Sequence, residues 1–236
     1  MKSLKLLVTN PSLFIKKVFG GPLRLYKIHI LKDEFIIEMT RWKKNKGDKT
    51  HRLDYPTLTE ESIVFDLGGY LGDFAHAINK KYGCYVYVFE PHQKFYEECT
   101  KRFSINPKVT PLNFGVSDVD GKFFLSDSVD GSSFSNPTHE NKQGIECIVK
   151  EFFKTLSDLD IAKVNLMKIN IEGGEYPLLI HIADNDKLGL VDEYQIQFHN
   201  FIEDAEHKRE SIIKSLSKTH KRTWCYTFVW ENWKKI

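Results

Sequence analysis

From residue 59 onward, short unbroken apolar runs alternate with stretches whose apolar positions recur every three or four residues. "SIVFDL" (62–67) is a continuous apolar run ending in an acid, the pattern of a strand buried on both faces of a parallel sheet. "GDFAHAINKKYG" follows with Phe74, Ala77, Ile78 and Lys81 at helical spacing and stops at Gly83. "CYVYVFE" (84–90) predicts a second buried strand. Pro91 then opens a helix carrying Phe95, Cys99, Arg102 and Phe103, closed by "NP" at 106–107. "VTPLNFG" (109–115) reads as a third strand, though Pro111 either argues against a strand here or moves it to a sheet edge. "VNLMKINI" (164–171) and "EYQIQFH" (193–199) are the next two, with helices after each, around 174–183 and 203–218. The aromatic "TWCYTFVWENW" predicts a terminal pair of strands.

Strand–helix–strand alternation repeated this often implies a doubly wound α/β sheet. Residues 116–150 break the rhythm. Two apolar pieces, "KFFL" and "IECIVK", flank the polar loop "SDSVDGSSFSNPTHENKQG", which reads as a β-hairpin insertion near the strand ends, where such folds bind ligands. The expected organisation is a basic N-terminal arm of helix and short strands over 1–58, packing on a core domain over 59–236.

Charge sharpens that division. The net charge is only +2, yet residues 1–52 hold 13 Lys/Arg against four Asp/Glu, so the rest of the chain is acidic. Such an arm suits an anionic partner or a membrane surface, or it folds onto the acidic body. Within it, "PSLFIKKVF" places Phe14, Ile15, Val18 and Phe19 on one helical face beside Lys16 and Lys17. Three uses follow: a membrane-surface helix, packing on its own domain, or packing on a second subunit in a homodimer. The four cysteines are widely separated, with no C-x-x-C pair, which argues against a zinc site and a disulfide framework. Cys84 and Cys99 read as buried thiols. Neither a signal segment nor a membrane-length apolar run is expected, so the cytoplasm, with peripheral attachment at the inner membrane face, is the expected location.

The chemistry concentrates in "VFDLGGYLGDF" (64–74). A dinucleotide fingerprint, G-x-G-x-x-G from Gly68, would need glycine at 70 and 73, where the chain has Tyr70 and Asp73. An acid at the helix entry would also repel a pyrophosphate. No Gly-Lys-Ser/Thr follows, so a Walker A loop fails too. What remains is D-x-G-x-x-x-G: Asp66, Gly68 and Gly72, with Gly69 as an extra. Asp66 at a strand tip can receive an ammonium directly or through water, and the glycines let a ligand approach the backbone. Glu90 ends the next strand, 22 residues after Gly68, where an acid can accept both hydroxyls of a ribose. S-adenosylmethionine carries both groups.

In order along the chain, "VFDLGGYLGDF", "VYVFEP", "NFGVSDVDGKFF", "GSSF", "LMKINIEGGEY" and "QIQFH" resemble the FkbM family of S-adenosylmethionine-dependent methyltransferases. The resemblance spans roughly 62–199. It implies a Rossmann-like class I methyltransferase fold, a mostly parallel seven-stranded sheet with helices on both faces. It also implies methyl transfer, usually to oxygen, often on sugars or natural products. Carried over, Asp66, Gly68, Gly69, Tyr70 and Gly72 would form the methionine-side turn. Glu90 and Pro91 would hold the ribose, Gly115, Val116 and Ser117 would line the adenine pocket, and Asn170 would touch the cofactor. Family members often read K-[IV]-D-[IV]-E-G where this chain has "KINIEG", so Asn170 replaces an acid and cannot take a proton.

Strand alternation places Lys168, Asn170 and Glu172 on one face. A sugar hydroxyl needs its proton removed as the new bond forms, and Glu172 and His199 stand at the expected strand tips. Each has a plainer reading: Glu172 as a helix N-terminal acid, His199 as a histidine bonded to backbone or solvent, Lys168 as the partner of a carboxylate. "SDVDG" and "DSVDG" do not continue as calcium loops, so no essential metal is expected. The expected activity is O-methylation of a carbohydrate or glycoconjugate hydroxyl. The alternatives are methylation of a non-sugar small molecule, a silent cofactor-binding module, and a Rossmann oxidoreductase. A small-molecule or glycan acceptor is the expected partner, and nucleic acid is not.

Overall fold

A computed structural model of the chain describes residues 32–125, 134–135 and 145–236. The expected amphipathic helix at 11–19 and most of the polar loop at 126–144 lie outside the described residues.

Helix α1 (Glu34–Lys44) begins where Asp33 accepts the Ile36 N–H at 3.1 Å, an N-cap that satisfies one free donor. The core domain then unrolls as β1 (Ile63–Leu67), α2 (Asp73–Tyr82), β2 (Tyr85–Phe89), α3 (Gln93–Arg102) and β3 (Val109–Leu112). β4 (Gly115–Ser117), β5 (Gly121–Leu125), β6 (Phe134–Ser135) and β7 (Ile145–Glu151) follow. Then come α4 (Phe152–Asp158), β8 (Leu166–Ile169), α5 (Glu175–Asp184), β9 (Glu193–Ile196), α6 (Ala205–Leu216), β10 (His220–Tyr226) and β11 (Trp230–Lys235).

The main sheet has seven strands in the order β10-β11-β9-β8-β1-β2-β3. The five from β9 to β3 are parallel, β11 is antiparallel to β9, and β10 is antiparallel to β11. The strand order reverses between β8 and β1, and there the loops after neighbouring strands diverge and leave a crevice. Pro111 sits on β3, paired only with β2, so its missing N–H falls on the free edge.

Alternation along β1 explains the two cores. Phe65 and Leu67 face one side, where Met167, Ile169, Tyr194 and Ile196 meet Tyr176, Leu178 and Ile182 of α5 and Ile212 and Leu216 of α6. Val64 faces the other side with Val86, Val88 and Leu166, against Phe74, Ala75 and Ile78 of α2. Burying each large side chain contributes roughly 1.5–3 kcal/mol, so the sheet is anchored from both faces.

Several expectations need correction. Gly115–Ser117 do not extend the third strand; they form β4 of a second sheet, ordered β4-β7-β5-β6. The hairpin expected within 116–150 is present as the antiparallel β5–β7 pair of that sheet. Pro91 does not open α3, because His92 is its N-cap and the helix starts at Gln93. Helix α4, capped by Glu151 through the Phe153 and Lys154 N–H groups, carries no strong sequence pattern and was not expected. Of the arm, residues 32–58 are described and hold helix α1; the rest of it lies outside the described residues. That helix is pinned to the C-terminal hairpin by Trp42, which lies edge-on to Tyr226 at 5.0 Å.

Candidate active site

The turn after β1 is built by steric necessity. Gly68 has φ +77°, and a Cβ there would stand 2.0 Å from the Asn170 carbonyl oxygen. A Cβ on Gly69 would strike Val88 Cγ1 at 2.1 Å, and one on Gly72 (φ +76°) would strike the Phe103 ring at 2.6 Å. The turn is therefore pressed between the tip of β8, strand β2 and helix α3. Tyr70 is held at φ +50° within it, its N–H donated to Glu90 Oε2 at 2.7 Å and its ring edge-on to Phe95 at 4.4 Å. A non-glycine residue in the left-handed region persists only when its surroundings impose it.

Beneath the turn lies a buried ion pair. Asp66 is fully buried and Lys168 is 3 % exposed, with 2.8 Å between Lys168 Nζ and Asp66 Oδ1. That contact is out of line for a directed hydrogen bond, so the Asp66 oxygens keep free lone pairs. The lysine is further held by the carbonyls of Gly68 at 2.7 Å and Leu67 at 3.2 Å. Burial pulls the Lys168 pKa down, and Asp66 opposes that shift. Lys168 thus ties the turn to β8 through two carbonyl hydrogen bonds and its ion pair with Asp66.

Glu90 is 6 % exposed at the tip of β2. Its carboxylate accepts the N–H groups of Tyr70 (2.7 Å) and His92 (3.0 Å), which leaves one lone-pair site per oxygen for a diol. Burial pushes its pKa up to about 7, against the opposing pull of those two N–H groups. Gly115 comes close to Pro91, whose Cγ would lie 3.7 Å from an added Cβ. Val116 points into the core, and Ser117 donates its hydroxyl to Asp118 at 2.8 Å.

The acceptor side is built differently from the strand-face reading. β8 ends at Ile169, and Glu172 sits at φ +52° in the turn before α5, so alternation does not carry Lys168, Asn170 and Glu172 to one face. His199 does not end β9 but lies past its last residue, Ile196. What fixes it is Glu175, a residue that sequence reasoning left out. Glu175 is fully buried at the start of α5. Its Oε1 accepts the His199 N–H at 2.8 Å and lies 3.0 Å from His199 Nδ1, while Oε2 accepts the Gly173 N–H at 2.8 Å. Tyr176 adds a hydrogen bond from its hydroxyl to the His199 carbonyl at 2.9 Å. With Glu175 accepting, Nδ1 is assigned the proton and Nε2 becomes the basic nitrogen, 3.5 Å from Glu172 Oε2. Burial raises the Glu172 pKa while His199 lowers it. The clue in the sequence was the spacing E-G-G-E, whose second acid begins the helix.

Beyond Asn200 a cavity of about 450 Å³ opens among the loop after β9, the start of α1 and the β10–β11 turn. Phe35, Phe228 and Ile202 form apolar walls, and Asp33, Asn200 and Asp204 offer acceptors. Glu231 opposite Ile196 puts the β10–β11 turn at the C-terminal end of β9, the same edge as His199.

The sequence matches the family model described as the methyltransferase FkbM domain over residues 66–219. The chain belongs to the FkbM methyltransferase family. Membership makes it an S-adenosylmethionine-dependent methyltransferase on a class I fold. Among solved structures it is similar to a putative rRNA methylase from Clostridium thermocellum, at 12% identity, covering 76% of this chain and 89% of that one with a TM-score of 0.47. It is also similar to Aeropyrum pernix fibrillarin in complex with S-adenosyl-L-methionine, at 8% identity, 78% and 70% coverage and a TM-score of 0.43. No curated protein matches it.

The residues of this FkbM domain fit the cofactor. Asp66 Oδ2 and Asn170 Oδ1 are buried without hydrogen-bond partners, two acceptors suited to an ammonium, and Glu90 is poised for a diol. Among the described residues no group of three His, Cys, Asp or Glu is placed to hold a metal, and no helix is long and apolar enough to cross a membrane.

Proposed function

We propose that this methyltransferase transfers its methyl group to a hydroxyl oxygen of a carbohydrate or glycoconjugate, with His199 as general base. The observation that carries the reading is the buried Glu175 that orients His199 through both its backbone N–H and Nδ1. This leaves Nε2 as the proton acceptor at the C-terminal edge of the sheet. The bound cofactor would supply an electrophilic methyl on a sulfonium. Asp66, Asn170 and Glu90 would hold it by its ammonium and ribose, and the Gly68–Gly72 turn would let it approach the backbone. His199 would take the hydroxyl proton as the oxygen attacks in line. Glu172, whose Oε2 lies 3.5 Å from Nε2, would steady the resulting imidazolium. Phe35 and Phe228 suit the apolar face of a pyranose, and Asp33, Asn200 and Asp204 its hydroxyls.

A panel of glycosides, glycolipids, phenols and amines, assayed for S-adenosylhomocysteine release, tests this reading. Turnover confined to sugar hydroxyls supports it. Turnover on amines or phenols alone would replace the acceptor class, and no turnover with a tightly bound cofactor would favour the silent module.

A further inference from the structure

The cofactor reading leaves one charge without a counterpart. The methionyl end of S-adenosylmethionine is a zwitterion, and the unpaired acceptors Asp66 Oδ2 and Asn170 Oδ1 answer only its ammonium. Its carboxylate needs a cation or N–H donors. Lys168 is already paired with Asp66 and hydrogen-bonded to two carbonyls, so its charge is answered within the protein.

Arg52 is the cation in the right place. It lies in the arm segment between α1 and β1, and its Cζ stands 4.4 Å from the Trp230 ring centroid and 5.8 Å from that of Phe74. Phe74 follows the glycine turn directly, as the second residue of α2, and the same ring lies 6.0 Å from Lys168 Nζ. The guanidinium and the buried lysine therefore face one ring beside the methionine end of the site. Arg52 Nε is buried without a hydrogen-bond partner. Among the described residues its ion pair is with Asp48 at 3.3 Å, a side chain 66% exposed. Exposed pairs of that kind contribute little. The Asp48 contact uses Nη1 and leaves Nε without a partner, and a guanidinium edge that includes Nε matches a carboxylate with two parallel bonds.

We propose that Arg52 binds the methionyl carboxylate of the cofactor, so that the segment preceding β1 forms one wall of the cofactor site. The assignment rests on the S-adenosylmethionine reading of the family. It also explains why the arm is anchored here: Tyr55 donates its hydroxyl to Gln195 at 2.9 Å, and Lys81 binds the Leu53 carbonyl at 2.7 Å, which fixes the chain immediately after Arg52.

The test is calorimetric titration of the full chain with S-adenosylhomocysteine and, separately, with 5′-methylthioadenosine, which lacks the amino-acid end. Arg52→Ala is expected to weaken S-adenosylhomocysteine binding tenfold or more and to leave methylthioadenosine binding within about twofold, with Arg52→Lys in between. Arg52→Gln, which keeps the stem packed on both rings, is expected to behave like the alanine variant and guards against a folding defect. Equal weakening of both ligands, or of neither, would overturn the assignment. Failure of the unaltered chain to bind S-adenosylhomocysteine at all would instead overturn the cofactor reading, and this proposal with it.

Discussion

Lys168 is the residue whose function is most easily mistaken. Its position at the centre of the sheet, beside an acid, suggests a catalytic amine, but it is buried, paired with Asp66 and hydrogen-bonded to the turn carbonyls. Removing one partner of a buried pair leaves the other charge unanswered, at a cost of about 3–5 kcal/mol. Lys168→Met is therefore expected to lower thermal stability sharply and to weaken cofactor binding together with it. A variant of unchanged stability that lost only turnover would return Lys168 to catalysis. Glu90 makes a prediction in pH. Its pKa, raised to about 7 by burial, means that between about pH 4.5 and 7 the folded, cofactor-free protein holds a proton there which the unfolded chain, with a pKa of 4.5, has released. Stability from this group is thus full below pH 4.5 and declines as pH rises through about 7. Cofactor binding runs the other way, because a ribose diol needs both oxygens as acceptors. The dissociation constant for S-adenosylhomocysteine should fall as pH rises from 6 to 8, by up to tenfold per unit below 7. A flat profile would remove Glu90 from the ribose site.

At the scale of elements, the turn between β1 and α2 is where sequence and structure agree most closely, because glycines at 68, 69 and 72 are demanded by contacts that any side chain would violate. Gly68→Ala combines a left-handed φ of +77° with a Cβ 2.0 Å from the Asn170 carbonyl, which is backbone and cannot swing aside. It should separate β1 from β8 at their tips and abolish measurable cofactor binding, while the far face of the sheet survives by circular dichroism. Retained affinity would mean that the β8 tip is not fixed as described. The acceptor side was much less legible. Periodicity placed β8 and β9 correctly, yet it overran both ends, because "KINIEG" and "QIQFH" stay apolar-alternating where the backbone has already turned. Glu172 and His199 were singled out from strand tips, but their meeting depends on Glu175, which local pattern assigns to an ordinary helix start. Only the tertiary contact between the α5 N-terminus and the loop after β9 shows its function.

The whole molecule puts these pieces on one edge. Parallel strands β1, β2, β8 and β9 deliver the glycine turn, Glu90, Asn170 and His199 to their C-terminal ends, and the order reversal between β1 and β8 opens the crevice between them. The doubly wound sheet was legible because its strands are buried on both faces and read as unbroken apolar runs. Of the second sheet only the β5–β7 hairpin was legible, since β4 leaves the third strand at Gly115 without any local signal beyond a glycine. The central claim is that Glu175-held His199 takes the acceptor proton. Single-turnover formation of S-adenosylhomocysteine, measured with an accepted sugar at saturating cofactor for the unaltered chain and His199→Ala, tests it most directly. A loss of about 10²–10⁴ in rate, with cofactor affinity unchanged, is the predicted result. Equal rates in the two proteins would contradict it.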